Sequence, residues 1–168
     1  ATTEIPAGSE IFRVPTTCTV TAAAAMRSDI GRGVTAAVEA SKPTAGPPRL
    51  PLGDLVLAAF VASDSRDSTS PHAPYYKLLD AEPFDESPVW WTDAERDLLL
   101  AGSHVRDEAL KLAEDIRHDF VTFVRDVIRR SDAGGVKNDD DDDDDDEDED
   151  RFEMFRRAIA AVHSRSFN

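Results

Sequence analysis

An apolar stripe in the second half of the chain constrains the fold more than any other feature. Apolar side chains recur there at steps of three or four residues: Val105, Ala109, Leu112, Ile116, Phe120, Phe123 and Val127. This spacing places them on one face of a helix, so we expect a long amphipathic helix that buries that face. Ser103 is positioned to cap its start, and Asp132 to Gly135 are expected to end it.

Further helices are predicted on either side of this stripe. The alanines from Ala22 favour helix, and the apolar residues between Leu50 and Phe60 have helical spacing and indicate a buried helix. Thr92-Asp93-Ala94-Glu95 has the form of a capping box before a short helix that ends at Gly102. A last helix carries four apolar residues on one face: Phe152, Phe155, Ile159 and Val162.

The rest of the chain predicts loops and a short β element. Residues 5–15 begin with a Pro-Ala-Gly turn and continue as an extended run whose Ile11, Phe12 and Val14 favour a strand. A second β-branched run covers residues 17–21, and residues 42–48 and 64–74 are polar or proline-containing and are expected to be loops. The predicted fold class is therefore mainly α, with a small N-terminal β element.

The net charge of −15 is concentrated in one place. Residues 139–150 are twelve consecutive Asp and Glu residues, and without them the net charge is −3. Adjacent carboxylates repel one another and stay solvated, so the run is expected to be a disordered loop between two helices; a loose cation or basic-partner site is the alternative. Since no basic footprint exists, direct nucleic-acid binding is not expected.

Other chemical features favour structural interpretations. The four histidines have no metal-ligand spacing, and the single Cys18, which cannot form an internal disulfide, fits an intracellular compartment. No apolar run approaches the roughly 18 residues that span a bilayer. Residues 31–34 (Gly-Arg-Gly-Val) suggest either a cofactor loop or, preferably, a turn between two short helices. Trp90-Trp91 and Tyr75-Tyr76 suggest packing anchors, with a peptide groove as the alternative.

Four segments, in order, carry a resemblance to a known family. They are I-P-A-G-S-E-I-F-R-V-P (5–15), S-P-H-A-P-Y-Y-K-L-L (70–79), F-D-E-S-P-V-W-W-T-D-A-E followed by L-L-L-A-G-S (84–95 and 98–103), and V-H-S-R-S-F (162–167). Together they resemble SET-domain protein methyltransferases of the Rubisco large-subunit methyltransferase-like class. The resemblance implies an α+β SET domain in the parent protein, split by a helical insertion.

The resemblance also implies a domain organisation and a cofactor. Residues 1–21 correspond to the N-terminal part of the SET domain, 22–136 to the helical insertion, 137–150 to the acidic loop, and 151–168 to a helix leading into the C-terminal part. The implied cofactor is S-adenosylmethionine and the implied partner is a protein substrate. Arg165 with Ser164 matches the motif whose arginine holds the cofactor's carboxylate, which suits its fork of donors.

A second group of residues is implied to lie against the cofactor through its backbone. This group is Ser9, Glu10 and Ile11, although family members usually have Glu where Ser9 stands, which weakens any side-chain contact there. Phe167 is expected to line the site or to pack. Residues 31–34 follow the first strand, on the wrong side to form the family's cofactor loop.

The resemblance implies that the chain is a fragment without catalytic residues. The family's G-x-G element would precede Ala1, and an Asn-His pair and the catalytic Tyr would follow Asn168. No Asn precedes a His in this sequence, and Tyr75 and Tyr76 lie in the helical insertion. We therefore expect a protein-lysine methyltransferase whose fragment is inactive alone. The alternatives are a histidine methyltransferase of the same family and a non-catalytic module that binds a basic partner.

Overall fold

The computed structural model describes residues 5–15, 19–80, 86–132 and 144–165. Regular structure in these ranges is helical, and none of these residues forms a β-strand. The helices are α1 (Ala22–Ala25), α2 (Asp29–Ala45), α3 (Leu52–Asp64), α4 (Ala73–Asp80), α5 (Asp93–Leu99), α6 (His104–Asp119), α7 (Arg125–Asp132) and α8 (Asp144–Arg165), and a π-helical turn (Phe120–Val124) joins α6 to α7. The mainly helical fold class is confirmed.

Helix α3 lies at the centre of the packing, as its apolar sequence predicts. It contacts α8 most extensively, and also α1, α2 and α7. Leu55, Val56, Ala58 and Ala59 are fully buried, and they cover more than one side of the helix. A helix that is apolar around most of its circumference must be enclosed by other helices, which explains why α3 is the element that the others surround.

The Gly31–Val34 segment lies inside α2, so both predictions made for it, a cofactor loop and a turn, are wrong. Ser28 caps α2 by accepting a hydrogen bond from the Gly31 amide at 3.0 Å. A Cβ at Gly31 would overlap the Ala25 carbonyl oxygen, and one at Gly33 would lie 2.7 Å from Val127 Cγ1. Gly31 therefore allows α2 to pack closely against the end of α1, and Gly33 allows it to pack closely against α7.

The long stripe from Val105 forms α6, the π-helical turn and α7 rather than one regular helix. Ser103 caps α6 as predicted, accepting from the Val105 amide at 3.3 Å. In the π-helical turn the Arg125 amide donates to the carbonyl of Phe120, five residues earlier, instead of four. The turn buries three of its five side chains, Phe120, Phe123 and Val124, and the first two belong to the predicted stripe.

A buried carboxylate at the end of α6 holds the loop before α3. Asp119 is fully buried, and its Oδ2 accepts hydrogen bonds from the backbone amides of Arg49 at 2.9 Å and Leu50 at 2.8 Å. Its Oδ1 lies 3.0 Å from His118 Nδ1. Because a buried carboxylate needs hydrogen-bond donors, these contacts fix the α2–α3 loop against α6.

Two predicted loops are shorter than expected. Helix α2 continues to Ala45 with Pro43 in its last turn, and Gly46 ends it with a φ of 77°. Residues 73–80 form α4, with Pro74 in its first turn, where a missing amide costs no helical hydrogen bond. The predicted capping box before α5 is confirmed, since Thr92 Oγ1 accepts from the Glu95 amide at 3.3 Å and the Thr92 amide donates to Glu95 Oε2 at 2.8 Å.

Helix α8 extends further back into the acidic run than predicted. The last seven residues of the run, 144–150, form its first two turns, so the predicted disordered loop over residues 137–150 is wrong for that part. Residues 137–143 lie outside the described ranges. The predicted apolar face is confirmed, with Phe155, Ile159 and Val162 buried against the core and Phe152 partly buried.

Candidate functional site

Residues 5–15 contain the first group of predicted cofactor contacts. The predicted turn is present: the Ser9 amide donates to the Pro6 carbonyl at 3.1 Å, and Gly8 has a φ of 85°, a conformation that favours glycine. Glu10 forms an exposed ion pair with Arg13, with Oε2 2.7 Å from Nη2. The described hydrogen bonds of Ser9 and Glu10 therefore stay within their own segment.

The segment after this turn is extended, solvent-exposed and apolar. Ile11 is 73% exposed, Phe12 78% and Val14 53%. The strand predicted here is wrong for the described structure, because a strand requires a ladder of hydrogen bonds to a neighbouring strand and none of the described residues forms a strand. This segment therefore has the amino-acid composition of a strand, but its apolar side chains are exposed to solvent.

The second group, Ser164 and Arg165, lies in the last turn of α8. Val162 is buried, so the helix is anchored to the core up to this turn, and His163 Nε2 lies 3.8 Å from Asp54 Oδ2 at the start of α3. Ser164 Oγ donates to the Ala161 carbonyl at 3.2 Å and accepts from Arg165 Nη1 at 2.9 Å. A cation at a helix C-terminus is stabilised by the helix dipole, so Arg165 occupies a favourable position at the edge of the core. Phe167 lies outside the described residues.

Two clefts occur elsewhere on the helical body. One, of about 300 Å³, lies between the π-helical turn and the start of α8, where Arg117, Phe120, Arg125 and Phe152 line it. The other, of about 50 Å³, lies between α3, α4 and α8. The predicted cofactor residues line neither of these two clefts.

A cluster of polar side chains that the sequence did not reveal joins α3 to α4. Asp64 Oδ2 accepts from Ser70 Oγ at 2.7 Å and from Tyr76 OH at 2.7 Å, and it lies 3.1 Å from His72 Nδ1. Burial, followed by the bond to Asp64, raises the pKa of the Tyr76 hydroxyl above its usual range. A phenol that keeps its proton acts as a donor and not as a base, so this cluster ties α4 to α3.

The aromatic pairs support the packing interpretation rather than a peptide groove. Tyr76 is 3% exposed, and Trp90 packs against the core, where its ring lies 4.8 Å from the Arg156 guanidinium. Buried Arg96 donates to the carbonyls of Pro88 and Val89, both at 3.2 Å, and so holds the segment before α5 in place. Of the two tyrosines, only Tyr75 is exposed.

The described part of the chain lacks two features that would indicate other functions. No group of three or more His, Cys, Asp or Glu side chains there is arranged to hold a metal ion. No helix in the same residues is both long and apolar enough to cross a membrane.

Comparisons of the chain with family models, curated proteins and solved structures gave no match.

Proposed function

We propose that this chain is part of a SET-domain enzyme that transfers a methyl group from S-adenosylmethionine to a lysine side chain of a protein substrate. The proposal depends on four ordered segments that resemble one family and that flank or lie within the helical body. Residues 5–15 precede this body, and residues 162–167 begin in the last turns of α8.

One structural observation supports the proposal in addition to the sequence resemblance. The segment that resembles the family's first strand lies outside the helical core, and its Ile11 and Phe12 side chains are more than 70% exposed. Aromatic and β-branched side chains in an extended segment normally pack on a sheet. Their exposure here is what we expect of a strand whose neighbouring strands lie elsewhere in a split β domain, while the helical insertion folds around its own core.

The residues present fit one part of the cofactor. The guanidinium group of Arg165 can donate two parallel hydrogen bonds to a carboxylate, which matches the methionine end of S-adenosylmethionine. Its place in the last turn of an anchored helix limits the directions that it can take. Backbone groups of Ser9, Glu10 and Ile11 supply the second proposed contact, as extended residues whose amides and carbonyls are outside any helix.

The chemistry requires groups that this chain does not supply. Methyl transfer to an amine depends mainly on holding the neutral nitrogen in line with the methyl group and on excluding water. The family's Asn-His pair and catalytic Tyr would provide that alignment, and the sequence contains no candidate for them. We therefore propose that the 168-residue chain is inactive by itself.

The test uses the complete protein of which we propose this chain to be a part. Binding of S-adenosylmethionine is measured by titration calorimetry, and methyl transfer is measured by mass spectrometry of candidate protein substrates, which also distinguishes lysine from histidine as the target. Arg165→Ala should weaken cofactor binding at least about tenfold, and Arg165→Lys should recover only part of it, because an ammonium group lacks the planar fork. Arg130→Ala, an exposed arginine of α7, is the control with the same loss of charge.

The outcomes separate the proposal's parts. A complete protein that neither binds S-adenosylmethionine nor transfers its methyl group would show that the proposed enzyme class is wrong and would favour the non-catalytic binding module. Binding that is equally strong in Arg165→Ala and Arg130→Ala would remove the role given to Arg165. Robust methyl transfer by the 168-residue chain alone would contradict its proposed inactivity.

A further inference from the structure

The cleft beside the π-helical turn has a lining that is partly apolar and partly charged. Its volume of about 300 Å³ lies at the lower end of the range that small-molecule sites occupy. Seven residues line it: Arg117, Phe120, Val121, Arg125, Asp148, Glu149 and Phe152. The cleft therefore combines an apolar surface with two positive and two negative side chains.

Three side chains form the apolar part of the cleft. Phe120 and Val121 are the first two residues of the π-helical turn, and the Phe152 ring of α8 lies 5.3 Å from that of Phe120. Val121 is 46% exposed, and Phe152 is partly buried. Since π-helical turns are rare and occur frequently at functional sites, the position of this turn in the wall of a cleft points to a ligand. An apolar group in the cleft would remove these surfaces from water, which favours binding.

The charged side chains form two pairs of opposite sign. Arg117 Nη2 lies 3.3 Å from Glu149 Oε2, and Arg125 Nε lies 3.8 Å from Asp148 Oδ2. The Arg117 guanidinium group also stacks 4.6 Å from the Phe152 ring, which holds it at the cleft. The Arg117–Glu149 pair is 59% and 65% exposed, so it contributes little to stability and a ligand can replace it.

Both arginines have donors left over for a ligand. Within the described part of the chain, no residue accepts a hydrogen bond from Arg117 Nη1 or from either terminal nitrogen of Arg125. A guanidinium group has five donors and can bind a carboxylate through two parallel hydrogen bonds. The arginines are therefore suited to a carboxylate that enters the cleft.

The balance of charges in the lining determines the class of ligand. A simple anion would be repelled by Asp148 and Glu149, and a simple cation would be repelled by the two arginines. A zwitterion avoids both repulsions, because each of its charges finds a partner of opposite sign. An α-amino acid carries an ammonium group and a carboxylate on one carbon, and an apolar side chain would cover the apolar part of the cleft.

We propose that this cleft binds a free α-amino acid with an apolar side chain. The carboxylate accepts hydrogen bonds from the two arginines, and the ammonium group donates to Glu149 and Asp148. The side chain packs against Phe152 and the π-helical turn. This binding is independent of the proposed methyltransferase function, since Arg165 does not line the cleft.

NMR spectra of the backbone amides of the 168-residue chain test the proposal. With L-phenylalanine as the probe, we expect saturable chemical-shift changes at residues 117–125 and 148–152 and a dissociation constant of about 1 mM or lower. Three related compounds each lack one group: 3-phenylpropionate lacks the ammonium group, 2-phenylethylamine lacks the carboxylate, and glycine lacks the apolar side chain. Each should bind at least about tenfold more weakly than L-phenylalanine.

Matched variants assign the contacts to individual side chains. The double variant Arg117→Gln/Arg125→Gln should weaken the binding of L-phenylalanine at least about tenfold. Arg130→Gln and Arg165→Ala remove a positive charge away from the cleft, so they should bind L-phenylalanine like the unaltered chain. Glu149→Gln should weaken the binding of L-phenylalanine but not that of 3-phenylpropionate, which has no ammonium group. The dispersion of the same spectra shows whether each variant is folded.

The proposal is wrong if L-phenylalanine up to about 20 mM causes no saturable shift changes at residues 117–125 and 148–152. It is also wrong if 3-phenylpropionate and 2-phenylethylamine bind as tightly as L-phenylalanine, because the two charges would then not be recognised together. Equally tight binding by the double variant and by Arg130→Gln would likewise contradict the contacts proposed for the two arginines.

Discussion

Removal of the Asp119 carboxylate should destabilise the fold more than removal of any exposed carboxylate. Asp119 is fully buried, and it accepts the backbone amides of Arg49 and Leu50, about 70 residues earlier in the chain, at 2.9 and 2.8 Å. In Asp119→Ala both amides lose their acceptor, and His118 loses the contact of its Nδ1 at 3.0 Å. The α2–α3 loop would then be held by fewer contacts to α6.

The size of the effect follows from the burial of these donors. A buried donor left without an acceptor costs about 1–3 kcal/mol. Leu50 is buried and bears this cost in full, whereas Arg49 is an exposed residue whose amide can recover part of it from water. The alanine also removes the cost of burying a charge, which offsets part of the loss. For Asp119→Ala we expect a net decrease of about 3 kcal/mol in the free energy of unfolding. For Asp119→Asn, which keeps one acceptor oxygen, we expect about half of that decrease.

Urea denaturation followed by circular dichroism measures this loss. At the size of this chain, about 3 kcal/mol corresponds to a decrease in melting temperature of about 6–12 °C. Asp126→Ala is the control. That carboxylate is 69% exposed, and its described ion pair is with the neighbouring Arg125 at 3.2 Å. We therefore expect Asp126→Ala to lower the free energy of unfolding by less than about 1 kcal/mol. If Asp119→Ala loses no more stability than Asp126→Ala at an unchanged m-value, the buried carboxylate does not hold the loop and our reasoning is refuted.

Two further predictions concern a close helix contact and a helix cap. Gly33→Ala should destabilise the fold by about 1–3 kcal/mol, because the new Cβ would lie 2.7 Å from Val127 Cγ1. Gly53→Ala is the control: the nearest neighbour of its Cβ lies at 3.8 Å, so this change should stabilise the fold by up to about 1 kcal/mol through helix propensity. The opposite order of stabilities in urea denaturation would contradict this prediction. Two hydrogen bonds lower the pKa of Glu95 below its ordinary value of 4.5: the larger effect comes from the Thr92 amide and the smaller from the Thr92 hydroxyl. Glu95 therefore stabilises the fold at pH values above 4.5, and this contribution is lost as the pH falls through its lower folded pKa. Glu95→Gln should thus be less stable than the unaltered chain at neutral pH and nearly equal to it in strong acid; a difference that does not change with pH would count against the cap.

The elements that could be predicted from sequence are those whose signals are local. The capping box at Thr92 and the cap at Ser103 depend only on residues within one turn, and both are present. The amphipathic face of α8 and the apolar circumference of α3 were likewise visible as patterns of three and four residues. In each case the energy that fixes the element comes from neighbours in the sequence or from simple burial.

The features that escaped prediction depend on partners far away in the chain. Gly33 looked like a loop residue, but its role is set by Val127, which packs where a Cβ would lie. Nothing near Asp119 in the sequence shows that its carboxylate accepts hydrogen bonds from the amides of Arg49 and Leu50. Residues 144–150 of α8 also looked disordered, and their ion pairs with Arg117 and Arg125 likewise involve residues from another part of the fold.

Stability and the proposed chemistry lie in different parts of this chain, and this separation makes the function testable. The buried core runs from Ala25 to Val162 and does not include Ile11, which is largely exposed. Arg165 follows the last core residue of α8 and bonds to Ser164, which is itself exposed. Since neither site belongs to the core, substitution there removes a proposed cofactor contact without opening a cavity. A loss of S-adenosylmethionine binding in Arg165→Ala at an unchanged free energy of unfolding would therefore report on recognition of the cofactor.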